Sequence, residues 1–141
     1  MKILSKSASE TEEIGKRLAK KLKGNETIAL YGDLGVGKTA LTRGISEYFG
    51  LKDWVSSPTF SIMNEYRTGE YRICHFDMYR VHSFEDLEST GFFECLGTSI
   101  VIIEWSENIT DFIPKNSIRI KLFKTDKEFE RVFEIEGVDL D

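Results

Sequence analysis

Apolar positions along the 141-residue chain change their period several times, and each change marks an element. Ile14, Leu18 and Leu22 recur at helical spacing, between the capping-box pair Ser9 and Glu12 and a stop at Gly24. They predict a first helix over about residues 10–23. Thr27 to Tyr31 is a short β-rich apolar run. Beyond the glycine-rich stretch that follows it, Leu41, Ile45 and Phe49 mark a second helix ending at Gly50. The connection "LKDWVSSPTF" has its stiff point at Pro58. Ser61 to Tyr66 and Tyr71 to Met78 flank the compact turn "RTGE" and read as an antiparallel hairpin. Ser83 and Asp86 open a short helix toward Gly91, and "SIVIIEW" is continuously apolar, as in a strand buried on both faces. Ile118, Ile120 and Leu122 alternate, as do Phe129, Arg131, Phe133 and Ile135, which predicts a terminal strand pair around "KTDKE". The expected fold is α/β, with a mixed parallel and antiparallel central sheet flanked by helices.

Length and composition narrow the class. A chain of this size suits one domain over residues 1–141, which would bury about 68% of its unfolded surface. The longest uninterrupted aliphatic run, Ile100 to Ile103, is far too short to cross a bilayer, and "MKILSKSASETEE" turns polar too soon for a secretory leader. Cys74 and Cys95 stand apart with no Cys-x-x-Cys pattern, so they read as reduced packing residues of a cytoplasmic protein without a zinc site. Net charge is −5. The densest basic cluster, Lys16, Arg17, Lys20, Lys21 and Lys23, lies largely on the exposed face of the first predicted helix. An acidic chain without a basic stripe is not expected to hold RNA strongly by itself.

The chemistry starts at "GDLGVGKT", where Gly32, Gly37, Lys38 and Thr39 fit Gly-x-x-x-x-Gly-Lys-Ser/Thr between a predicted strand and a predicted helix. This is the phosphate loop of a P-loop NTPase-like fold. Gly32, Gly35 and Gly37 permit the backbone angles that turn successive N–H groups, including those of Val36 and Ala40, into one anion-binding nest. The helix that follows adds unpaired N–H groups and its positive end. Lys38 would reach the β- and γ-phosphates, and the Thr39 hydroxyl would ligate Mg²⁺.

Hydrolysis also needs a strand-end carboxylate for the metal and a group to orient water. Glu104 ends the apolar strand and is the candidate metal acid, unless it is an ordinary strand-end residue. The chain contains no glutamine, which excludes that residue as the water-positioner. Asp77 in "HFDMYR" takes its place, since an Asp among large apolar residues is costly unless paired or near a metal. His75, two residues earlier on the same face, reads first as a core histidine satisfied by hydrogen bonds. Thr59 and Ser57 in "SSPTF" either sense a γ-phosphate or cap a proline turn. Trp105 packs in the core or beside the nucleotide. No Asn-Lys-x-Asp guanine signature is present, which favours adenine.

In this order, "GDLGVGKTALTRG", "SPTFSIMNEY", "HFDMYR" and "EWSE" resemble the TsaE (YjeE) family, over a span from Gly32 to Glu107. The resemblance implies a bacterial cytoplasmic ATPase required for threonylcarbamoylation of adenosine 37 in tRNAs reading ANN codons. It implies joint action with TsaB and TsaD to allow repeated turnover, tRNA being met through those partners. Carried over by motif, Lys38 and Thr39 become the ATP and Mg²⁺ residues, and Glu104 a second metal ligand. Asp77 becomes essential to hydrolysis, Thr59 part of a switch-like segment, and Trp105 a neighbour of the site. The segment around Thr11, and Arg131 in the last strand, would border the adenine. One departure is Ala40, where many members carry a second hydroxyl residue. Two alternatives use the same loop, a small-molecule kinase and a nucleotide-dependent binding module without turnover. Oligomeric state is not legible.

Overall fold

The chain begins as a strand that the apolar pattern does not announce. In the computed structural model, which describes residues 1–32, 37–54 and 62–141, β1 (Lys2–Ser5) pairs antiparallel with the last strand. Ile3 and the polar Ser5 face in while the apolar Leu4 faces out, so hydrophobic alternation gives no clear signal there. α1 (Ala8–Lys20) starts two residues earlier than predicted because the cap is Ser7. The Ser7 hydroxyl accepts the Glu10 N–H at 3.1 Å, and the Glu10 carboxylate accepts the Lys6 N–H at 2.9 Å. The capping pair is therefore Ser7 and Glu10, not Ser9 and Glu12, with the carboxylate reaching the N–H one residue before the cap.

β2 (Thr27–Tyr31) and α2 (Lys38–Tyr48) flank the phosphate loop, and β3 (Met63–Thr68) and β4 (Tyr71–Asp77) form the hairpin. α3 (Phe84–Ser89), α4 (Phe92–Cys95) and β5 (Ile100–Glu104) follow, then a 3₁₀ segment, Ser106–Phe112. β6 (Ile118–Lys124) and β7 (Arg131–Glu136) close the chain, and Phe129, expected in the last strand, precedes it with 70% of its surface exposed. Gly35, Val36, Ser57, Pro58 and Thr59 lie outside the described residues.

Seven strands form one mixed sheet in the order β1-β7-β6-β2-β5-β4-β3. The inner pairings, β6 with β2, β2 with β5 and β5 with β4, are parallel, and the outer three are antiparallel. Alternation along the strands sorts their side chains between two cores. Ile28, Leu30, Ile73, Ile100 and Ile102 pack with α1 and α2, whereas Ala29, Cys74, Phe76, Val101 and Ile103 pack with α3, α4 and the 3₁₀ segment. Cys74 and Cys95 are buried free thiols in the second core, as expected of packing residues. Burial and a hydrogen-bonded Cys95 push the Cys74 thiol from 9.0 up to about 12. No described helix is long and apolar enough to span a membrane.

α1 and α2 touch backbone to backbone. A β-carbon on Gly15 would lie 2.2 Å from the Leu41 carbonyl oxygen, and one on Gly44 would lie 2.1 Å from that of Glu12. Two glycines, one on each helix, thus set how close α2, which carries the phosphate-loop lysine, sits to its neighbour.

Candidate active site

Strand parity brings the candidate acids together. Positions 73, 75 and 77 of β4 and 100, 102 and 104 of β5 point to the face that α2 covers, because side chains alternate and the two strands run parallel. Asp77 stands directly opposite Glu104 at the carboxyl ends of these neighbouring strands. The carboxyl edge of a parallel sheet, next to the loop leaving β2, is where an α/β fold places ligands.

The phosphate-loop side is built to receive an anion. Gly32 and Gly37 have φ of +127° and +105°, which side-chain-bearing residues rarely adopt. A β-carbon on Gly32 would also meet the Leu122 carbonyl oxygen at 2.7 Å. Gly37 caps α2 with no side-chain hydrogen bond, and no acid sits in the first turn. α1 and α3 differ: each begins with a serine hydroxyl on a backbone N–H and acids in its first turn. The N-terminus of α2 therefore keeps its positive end open.

Lys38 is 2% exposed, and its ammonium has no hydrogen-bond partner among the described residues. Its Nζ lies 5.3 Å from the centroid of the Trp105 ring, a cation–π contact that offsets part of the missing solvation. Trp105 takes φ +60°, the one left-handed non-glycine backbone among the described residues, and its ring meets that of Tyr79 at 4.8 Å. Such a conformation costs about 1–2 kcal/mol for a side-chain-bearing residue and is retained where the surroundings enforce it. Here it turns the chain sharply after Glu104 and leaves the indole over Lys38.

Glu104 is buried, and its Oε2 lies 2.7 Å from Nε2 of His75, which has no exposed surface. His75 is thus a core histidine satisfied by a hydrogen bond, as read first, but its partner is the candidate metal acid. Trp54 stacks on the imidazole at 4.9 Å with 6° between the rings. Asp77 is half-buried, and its Oδ1 accepts the Tyr79 N–H at 2.9 Å. Asn108 donates to the Met78 carbonyl at 2.8 Å and to that of Tyr79 at 3.2 Å, tying the 3₁₀ segment to the turn after Asp77.

The other expected positions distribute as follows. The Thr39 side chain is exposed in the first turn of α2, and Ala40 is buried beside it. Arg131 packs beside Gly37, where an added β-carbon would lie 3.7 Å from its Cγ. Its guanidinium donates to the carbonyls of Glu128 and Glu130. Thr11 is buried within α1, its hydroxyl 2.7 Å from that of Ser5. The sequence reading missed two contacts. The Gly32 N–H donates to the Glu107 carboxylate at 3.0 Å, and the Trp54 stack on His75 joins residues 21 positions apart. The last acid of "EWSE" was the signal for the first; the second left no local trace.

The residues present fit a nucleotide's polyphosphate. An orphaned buried ammonium, an uncapped helix start and left-handed glycines match a polyphosphate. Among the described residues no three His, Cys, Asp or Glu side chains cluster as a metal site. A cation held by Thr39 and Glu104 would draw its remaining ligands from phosphate and water, the habit of Mg²⁺.

A family profile described as "Threonylcarbamoyl adenosine biosynthesis protein TsaE" matches residues 5–133. The tRNA threonylcarbamoyladenosine biosynthesis protein TsaE of Rickettsia conorii is 39% identical over 117 residues, covering 82% of this chain and 67% of that protein. The protein of the same name from Bacillus subtilis is 35% identical over 130 residues, 91% of this chain and 81% of its own length. The crystal structure of Bacillus subtilis YdiB superposes with a TM-score of 0.76 at 28% identity, covering 94% of this chain and 82% of that one.

Proposed function

The chain belongs to the TsaE family, and on that premise we propose that it binds and hydrolyses Mg²⁺-ATP to sustain threonylcarbamoylation of adenosine 37 in tRNAs reading ANN codons. It acts with TsaB and TsaD, permitting repeated turnover rather than transferring the group itself. The observation that carries the nucleotide reading is Lys38, a buried ammonium with no partner among the described residues, at a helix start without a side-chain cap. A buried cation without a partner costs several kcal/mol, and a bound phosphate removes that cost.

Mg²⁺ would screen the phosphate oxygens and fix their geometry. Lys38 would hold the β- and γ-phosphates, Thr39 and Glu104 would hold the cation, and Asp77 would orient the attacking water or take its proton. Asp77 and Glu104 supply two carboxylates in register, which suits a division of labour between water and metal. No arginine among the described residues pairs with Asp77 or Glu104. Arg131, whose Cγ lies beside Gly37, has its guanidinium on the carbonyls of Glu128 and Glu130. Isolated turnover should therefore be slow, on the order of 10⁻² s⁻¹ or less, and rise when partners close the site.

The test is multiple-turnover tRNA modification with TsaB, TsaD and the activated threonylcarbamoyl donor. Wild type should support many rounds, whereas Lys38→Ala and Glu104→Ala should stop after about one. Variants that sustain wild-type turnover would overturn the assignment.

A further inference from the structure

We propose that His75 is a positioning residue, which keeps the Glu104 carboxylate turned to the cation position and off the Lys38 ammonium. The inference rests on the reading of Glu104 as the metal acid. Lys38 and Glu104 are opposite charges and both buried; Glu104 directly precedes Trp105 in the chain, and the Lys38 ammonium lies over the Trp105 ring. Opposite charges withdrawn from water attract strongly, yet these two make no ion pair. Glu104 is instead paired with Nε2 of His75 at 2.7 Å, and because a carboxylate can only accept, this pairing uses the tautomer with its proton on Nε2. Without that bond the carboxylate is free to turn toward the lysine, which would quench the ammonium that phosphate needs and remove an oxygen from the metal.

The ring is held for this purpose rather than merely packed. Trp54 lies flat against one face, which fixes the plane from which Nε2 points at Glu104. Its other nitrogen, Nδ1, is buried with no hydrogen-bond partner among the described residues. An orphaned buried polar atom is unfavourable, and a phenylalanine or leucine would fill the space without one. What a hydrocarbon lacks is the donor to Glu104. Residues that orient metal ligands in this way typically change metal affinity by about 10–100-fold when replaced.

The experiment measures two affinities by tryptophan fluorescence, that of ADP without metal and that of Mg²⁺ for the ADP-loaded protein. The variants are His75→Gln, His75→Leu, Glu104→Gln and the double variant His75→Leu/Glu104→Gln, with thermal melting to verify folding. Glutamine places a donor where Nε2 stands and should keep both affinities within about threefold of wild type. Leucine should lower Mg²⁺ affinity by about 10–100-fold and also weaken metal-free ADP binding. Adding Glu104→Gln to the leucine variant should restore metal-free ADP binding, since no charge then remains to quench Lys38. A purely structural role would give no such rescue. Equal behaviour of leucine and glutamine, or a double variant no better than leucine alone, would overturn the proposal. If His75→Leu does not fold, His75→Asn, too short to reach the same oxygen, serves in its place. Wild-type Mg²⁺ affinity in Glu104→Gln itself would instead refute the metal-acid reading, and the positioning role with it.

Discussion

Lys38 occupies an environment that disfavours an ammonium, with almost no solvent and an indole face as its nearest compensation. The residue is therefore retained at a cost in stability. Lys38→Met keeps the apolar stem and removes the charge. Its nucleotide-free unfolding free energy should rise by about 1–3 kcal/mol, measured by thermal or urea melting without ligand. Affinity for ATP should fall by about a hundredfold or more, as expected when one partner of a buried charge pair is lost. Unchanged stability would mean that the ammonium finds compensation in the free protein. At this scale the sequence marks residues whose surroundings are local. Lys38 stands in a spaced glycine pattern, and Glu104 ends an unbroken apolar run. It is silent on partners distant along the chain. His75 and Glu104 are 29 positions apart, and neither periodicity nor spacing links them. Nor does "IEWSE" announce that Trp105 adopts a left-handed backbone.

Element by element, helices and strands with regular apolar spacing are legible, and short or inverted ones are not. The hairpin and the apolar strand follow from their patterns, whereas β1 hides because its buried position carries serine. The first helix is recognised but its start is misplaced, since Ser7–Glu10 and Ser9–Glu12 are both capping spacings and only backbone geometry chooses between them. Gly15 and Gly44 are a further case. Glycine inside a helix normally weakens it by about 0.5–1 kcal/mol relative to alanine. Here the sign reverses, because a methyl group on Gly44 would press on the Glu12 carbonyl. Gly44→Ala should destabilise the fold by about 2–3 kcal/mol, seen as a lower urea midpoint at unchanged slope. A gain in stability would show that α1 can move away without loss.

Across the whole molecule, charge is unevenly placed. Seven of the 24 acids but only one of the 19 bases fall within residues 79–113, and the remainder of the chain is nearly neutral. Six of those acids are exposed, on and between α3, α4 and the 3₁₀ segment. A surface of that sign repels a phosphate backbone and favours a basic protein partner. The chain alone should give no tRNA shift at ~0.15 M salt, and the association with TsaB and TsaD proposed above should weaken as salt rises. Salt-independent association, read by calorimetry, would count against electrostatic steering. The mixed sheet is legible in outline, since a hairpin beside a phosphate loop requires both strand directions. The central place of β2 is not, because strand order depends on contacts that no single segment encodes. The helix crossing has a mechanical consequence too. Where Gly15 and Gly44 meet, main chain rests on main chain, with no side chain between to cushion a shearing motion of α2. At that seam it behaves as an anvil and not a piston: a slide of α2 across α1 would drive carbonyl oxygen against Cα, so the crossing resists displacement.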